Sequence, residues 1–364
     1  LQIKIGFSEK ADVKAAVEEA TSGISSVKGL LFQCDHKAIK EVAKLLSQKY
    51  PKVPLIGAGG ATYYKTSVST KGLMVLAFGS DSEIKAGILR HLSTVPLYDI
   101  ADFYDAAKDI KAGKENTVCL EYCTNNEEKL VSTMNVVLEN TTIPLLGGTV
   151  YGYPENTKPV VCFDGKLYED ACCWIIIKNK SGNIRTYKEN IYGFREDGKL
   201  HFATKVNVEK RELIQLDNRP MKEVYAQEMG VSKEEVVGCV FEHPLGRIVG
   251  DDLYIISQYE DAASGGVITY KQVNDNDSIA FLELKDYEKI NEETLKQIEK
   301  ENSKISLVFS INCAFRHILF EEKGYTSQFL TNMSKLGPHI GGMFGGEQYI
   351  KQHVNQTMIC AVFE

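Results

Sequence analysis

Three apolar segments that break into glycine and end on tyrosine constrain this chain more than anything else in it. They read Val53-Pro-Leu-Ile-Gly-Ala-Gly-Gly-Ala-Thr-Tyr-Tyr64, Ile143-Pro-Leu-Leu-Gly-Gly-Thr-Val-Tyr-Gly-Tyr153 and Pro338-His-Ile-Gly-Gly-Met-Phe-Gly-Gly-Glu-Gln-Tyr349. Glycine has no Cβ, so each break can take positive φ and let a second backbone or a ligand approach closely. The first two share a Val/Ile-Pro-Leu-Ile/Leu-Gly opening, the mark of a duplicated unit. The expectation is three tight glycine turns that line one cleft, with Tyr63, Tyr64, Tyr151, Tyr153 and Tyr349 as amphipathic walls.

Strands and helices alternate around these segments. Residues 3–7, 29–33, 73–78, 84–92 and 117–122 read as strands, and residues 12–20, 38–50, 99–110 and 127–138 as helices, with Ser8 as the first N-cap. Residues 160–163 and 171–177 read as a hairpin about Asp164-Gly165. A charged, glycine-containing stretch at 193–199 interrupts the pattern and places a boundary near Gly198. Beyond it, residues 220–230, 290–301 and 328–335 read as helices. Residues 254–258, 267–270, 278–284, 304–311 and 355–363 read as strands. The alternation predicts an α/β fold, a mixed sandwich of sheets covered by helices. Two domains are expected: 1–198, internally duplicated as about 1–98 and 99–198, and 199–364.

Composition narrows the function. A net charge of −7 with interleaved basic residues argues against nucleic acid as a partner. No apolar run approaches the ~18 residues of a membrane span. The sequence begins at Leu1, without Met or a leader pattern, which reads as a trimmed chain. Nine irregularly spaced cysteines read as reduced thiols of a cytoplasmic protein.

The glycine segments fail as phosphate cradles. Gly57-Ala-Gly59-Gly60 lacks the third glycine of a dinucleotide fingerprint, and no Gly-Lys-Ser/Thr follows any of the three. Paired metal ligands at zinc spacing are missing, so neither a metal nor a cofactor is expected. Cys313 and Arg316 follow a buried strand and open a helix, where a thiolate would be favoured. Cys313 with His317 at i,i+4 can be read as nucleophile and base, or Cys313 as a small core residue. Arg316 and Glu347 also have two readings. They pair with each other, or they receive the carboxylate and ammonium of a zwitterion.

The chain resembles the FIST family, named for F-box and intracellular signal transduction proteins. The FIST N-like elements are Pro-Leu-Ile-Gly57-Ala-Gly-Gly followed by residues 71–78, and Ile143-Pro-Leu-Leu-Gly-Gly148 followed by residues 164–170. The FIST C-like elements are residues 216–225, His243-Pro-Leu-Gly246, Cys313-Ala-Phe-Arg316, Gly341-Gly-Met-Phe-Gly-Gly-Glu347 and His353-Val-Asn-Gln-Thr357. Phe315 departs from the small residue expected before the arginine.

The resemblance implies a sensory module rather than an enzyme. Its partners would be a small ligand, of the amino-acid class, and a signalling output domain or protein. The expected ligand set is Arg316, Glu347, Asn355, Thr357, Cys313, Gly341, Gly342, Gly57, Gly59, Gly60, Gly147, Gly148 and Tyr151. Arg316 would hold a carboxylate, Glu347 an ammonium, and Asn355 and Thr357 would supply hydrogen bonds. The alternatives are a protein-interaction scaffold and an enzyme using Cys313.

Overall fold

The central strands are apolar along their whole length because both of their faces are covered. Every residue of Gly29–Cys34, Leu73–Phe78, Thr117–Cys123, Leu307–Cys313 and Thr357–Phe363 is buried. The structure, a computed structural model, describes residues 1–250 and 252–364.

These strands belong to three six-stranded sheets with one shared strand order. The first runs Ile3–Ser8, Leu73–Phe78, Gly29–Cys34, Leu55–Gly59, Val161–Phe163, Lys166–Tyr168. The second runs Ser82–Arg90, Ala171–Asn179, Thr117–Cys123, Leu145–Thr149, Glu347–Tyr349, Gln352–Val354. The third runs Ile184–Asn190, Thr357–Phe363, Leu307–Cys313, His339–Phe344, Thr62–Tyr64, Ser67–Ser69. In each, the third strand pairs in parallel with the fourth, which carries the glycines. The last two strands of each sheet form a hairpin that follows the glycine strand of another sheet. Each sheet is therefore completed by chain from elsewhere in the sequence.

The three glycine segments are thus strands, Leu55–Gly59, Leu145–Thr149 and His339–Phe344, rather than tight turns. The physical reason is lateral. A Cβ on Gly57, Gly147 or Gly341 would fall on Phe32, on the Glu121 carboxylate or on Ser310 of the parallel neighbour. Within the three segments, positive-φ glycines lie outside the strands, at Gly60 (152°), Gly152 (73°) and Gly346 (151°).

The inward faces of the three sheets share one core. Leu31, Ile56 and Leu76 meet Leu120, Leu146 and Ile175, and also Phe309, Ile340 and Ile359. Helices cover the outward faces. Val42 and Leu46 of Ile39–Lys49 pack on Leu30 and Phe32. Leu130 and Met134 of Glu127–Leu138 pack on Cys119 and Trp174.

Local details correct three expectations. The first helix, Val13–Ala20, is capped by Asp12, whose carboxylate accepts from the Ala15 amide; Ser8 instead ends the preceding strand. Asp164-Gly165 does turn a hairpin, but it joins Val161–Phe163 to Lys166–Tyr168. The strand Ala171–Asn179 pairs with Ser82–Arg90 and Thr117–Cys123.

The chain forms two compact units. One comprises Leu1–Lys188, Glu292–His353 and Met358–Glu364, and the other Glu189–Asn291 and Val354–Thr357. The single cut expected near Gly198 differs from this division. Residues 292–353 and 358–364 return to the unit begun before residue 190, and such long-range pairing leaves no local mark.

The smaller unit has its own core of Leu213, Leu216, Tyr225 and Phe281, and a nine-stranded sheet. Its helix, Met221–Met229, stops at Gly230 in the left-handed conformation (φ 70°), as a C-terminal glycine should. His201, stacked on Phe281, bonds Asp217 at 2.6 Å and Glu228 at 2.9 Å.

Gly147→Ala will lower the unfolding free energy by about 2 kcal/mol through overpacking. Urea melts of Gly147→Ala and of Glu121→Ala/Gly147→Ala check the cause. The second change should recover part of the loss, since it removes the group that the new methyl strikes.

Candidate functional site

Ligands of open parallel sheets bind outside the carboxyl ends of the strands. Here the carboxyl ends of all three glycine strands come together. The Met343 amide donates to the Ala61 carbonyl at 3.1 Å, and the Gly345 amide to the Thr149 carbonyl at 2.8 Å. His36 Nε2 lies 2.8 Å from the Tyr151 carbonyl oxygen. Gly59 leaves room for the His36 ring, and Gly342 for the Gln33 amide.

Cys313 ends the strand Leu307–Cys313 and is the N-cap of the helix Ala314–Glu322, as its sequence position predicts. Cys313 is 3% exposed and Arg316 1% exposed. The Arg316 guanidinium lies 4.5 Å from the Phe320 ring centre and 5.3 Å from that of Phe329, where cation–π attraction offsets part of its desolvation. Glu347, fully buried, opens the hairpin strand that pairs with Gly148.

Tyr63 ties these groups together. Burial drives its hydroxyl pKa well above the usual value; the Arg316 charge opposes that rise, while Glu321, Cys313 and Glu347 add to it. Arg316, Cys313 and Glu347 thus act on one phenol, together with Glu321. Its Oη lies 2.8 Å from His317 Nδ1, and burial lowers the pKa of that imidazole. The Tyr151 pKa is raised by burial and by Cys313. The arrangement offers a guanidinium, a carboxylate, two phenols and a thiol at the meeting point of three strand ends.

Other expected residues lie elsewhere. Gly57 and Gly341 face the neighbouring strand rather than the strand ends. Asn355 and Thr357 belong to the smaller unit, where Asn355 Oδ1 accepts from the Ser257 amide at 3.4 Å.

Sequence reading missed Gln33, Glu121 and the Tyr63–His317 pair. Gln33 is fully buried and donates to the Ala61 carbonyl at 3.0 Å, and its Oε1 has no hydrogen-bond partner among the described residues. Glu121 is buried beside Gly147 and accepts from the Cys172 thiol at 3.3 Å. Burial, with the Glu127 charge, pushes its pKa up to about 8. The available signal was one polar residue inside an otherwise apolar strand, as in Gly29–Cys34 and Thr117–Cys123.

The FIST N domain matches residues 29–219, more than half of the chain. The chain belongs to the FIST family. FIST domains are sensory domains of signal-transduction proteins, not a known family of enzymes. The match includes the first two glycine strands of this FIST protein; its third glycine strand, Arg316 and Glu347 lie beyond residue 219. No curated protein matches the chain. Among the described residues, no helix is long and apolar enough to cross a membrane.

The raised Glu121 pKa has a definite sign. Between the ordinary value of 4.5 and about 8, the folded state holds a proton that the unfolded state has lost, so stability falls as pH rises across that window. Urea midpoints at pH 5 and pH 8 should drop for the wild type, and Glu121→Gln should flatten the change.

Proposed function

We propose that this FIST protein is the small-ligand-sensing module of an intracellular signal-transduction protein, with an amino acid or a related small carboxylate as its ligand. The reading is supported by the meeting of the three strand ends, by the burial of Arg316 and Glu347, and by the action of both charges on the Tyr63 phenol. Arginine suits bidentate capture of a carboxylate, and Glu347 would receive the ammonium. Tyr63, Tyr151 and Cys313 would form the walls, with Gly59, Gly60, Gly148 and Gly342 allowing close backbone approach. The ligand set is confined to the larger unit, so Asn355 and Thr357 are left out of it.

A ligand shifts an equilibrium only by its differential affinity for two states. Here the ligand would favour one arrangement of the hairpins that begin at Thr62 and Glu347, and an output domain or partner protein would read it. The nine cysteines, none of them in a disulfide and eight of them buried, accord with work in a reducing compartment.

A thermal-shift screen of amino acids and small carboxylates tests this. A ligand at ~100 times its dissociation constant should add ~2.7 kcal/mol of stability. Arg316→Ala should abolish the shift. Arg316→Lys, which keeps the charge without the planar fork, should weaken it. Silence across the panel, or a shift that persists in Arg316→Ala, would remove the proposed site.

A further inference from the structure

Two of the nine cysteines are set face to face by the sheet register. Cys172, in Ala171–Asn179, lies directly opposite Cys123, in Thr117–Cys123. The Thr124 amide donates to the Ala171 carbonyl at 3.0 Å, and the Cys123 carbonyl turns the other way and accepts from the Val150 amide. Cys123 and Cys172 are therefore a non-hydrogen-bonded pair of the antiparallel ladder, the kind whose Cα atoms stand only ~4.5 Å apart. That spacing lies inside the range a disulfide spans. Both side chains are fully buried on the outward face of the sheet, in the cluster beneath Glu127–Leu138.

A proton acceptor touches the pair. The Cys172 thiol donates to Glu121 Oε2 at 3.3 Å, and Glu121 Oε1 has no hydrogen-bond partner among the described residues. Cys123 Sγ lies 3.6 Å from Thr149 Oγ1 and donates to Gln348 Oε1 at 3.8 Å. Burial raises the pKa of both thiols, and the Glu121 charge adds to the rise, so neither forms its reactive thiolate at neutral pH without a base at hand. The Glu121 carboxyl, held up at about 8, is far closer to a thiol in proton affinity than an ordinary carboxylate is.

We infer that Cys123 and Cys172 form an oxidation site, joined as a disulfide when the protein meets hydrogen peroxide. Cys172 passes its proton to the Glu121 carboxylate, and the thiolate attacks the peroxide. An S–O bond forms, the O–O bond breaks, and the leaving hydroxide takes that proton as water. Cys123 then attacks the sulfenic sulfur of Cys172; the S–S bond forms, the S–O bond breaks, and hydroxide leaves with the Cys123 proton as a second water. Two thiols are oxidised and one peroxide is reduced. Disulfides of reducing compartments are mostly transient and redox-sensing. The linkage would take Cys123 away from Gln348, the neighbour of Glu347, and so act on the site proposed above; the modification itself stands without that reading.

Peroxide treatment of the full chain tests the inference. The remaining thiols are blocked with N-ethylmaleimide in denaturant, and the peptides are mapped without reduction. Two of the nine thiols should escape blocking, and Cys123 and Cys172 should appear in one cross-linked peptide that dithiothreitol releases. Cys123→Ala should leave Cys172 as a sulfenic acid that dimedone captures. Cys119→Ala, in the same cluster, should leave the cross-link unchanged. The wild-type rate should rise as pH passes through about 8, where Glu121 ionises, and Glu121→Gln should lose that rise and slow cross-linking at least about tenfold. Nine thiols still open to blocking, a cross-link between other cysteines, or an unchanged rate in Glu121→Gln would each overturn the inference.

Discussion

The larger unit depends on the missing Cβ atoms of its three glycine strands. At Gly57, Gly147 and Gly341 the side chain or backbone of a parallel neighbour occupies the space a Cβ would need. Interiors are packed to crystal density, so this space cannot be recovered elsewhere without strain. Because each strand can pass so close to its neighbour, its exit reaches the next sheet, and the following hairpin pairs there. The exchange of hairpins gives three sheets one common core.

The same close packing concentrates polar groups at the strand ends. The core proper is apolar, while Gln33, Arg316 and Glu347 are buried where the three exits meet. Burying such groups costs free energy unless other groups compensate. Arg316 gains aromatic faces, and Glu347 sits on a hydrogen-bonded hairpin strand. Glu121 takes another course. Its carboxyl is held in the protonated form over most of the physiological range, which avoids a buried charge.

Much of the local structure was legible. The helix at 127–138 and the strand at 73–78 match their reading to the residue, and Gly230 ends its helix as expected. Cys313 opens a helix as read. The short strands Thr62–Tyr64 and Ser67–Ser69 were missed, because three residues are too few to show a period. The glycine segments were taken as turns because glycine reads locally as a breaker. Their role is lateral and depends on Phe32, Glu121 and Ser310, residues over 20 positions away. At the site, Arg316 and Glu347 were legible as a charged pair of chemistry-bearing residues. Tyr63 was legible only as a cleft wall, and His317 only as a partner for Cys313.

The sequence by itself determined the α/β class, most helices and central strands, the family, and the presence of three related glycine segments. These follow from short-range periodicity and composition, which a single chain carries in full. Tertiary structure alone decided which hairpin completes which sheet and that residues 292–353 and 358–364 return to the larger unit. It also decided that the three glycine strands meet at their carboxyl ends. The reason is range: pairing between Glu347 and Gly148, or between Tyr63 and Gly341, spans some 200 residues or more, and it is selected by global packing rather than by any neighbour in sequence.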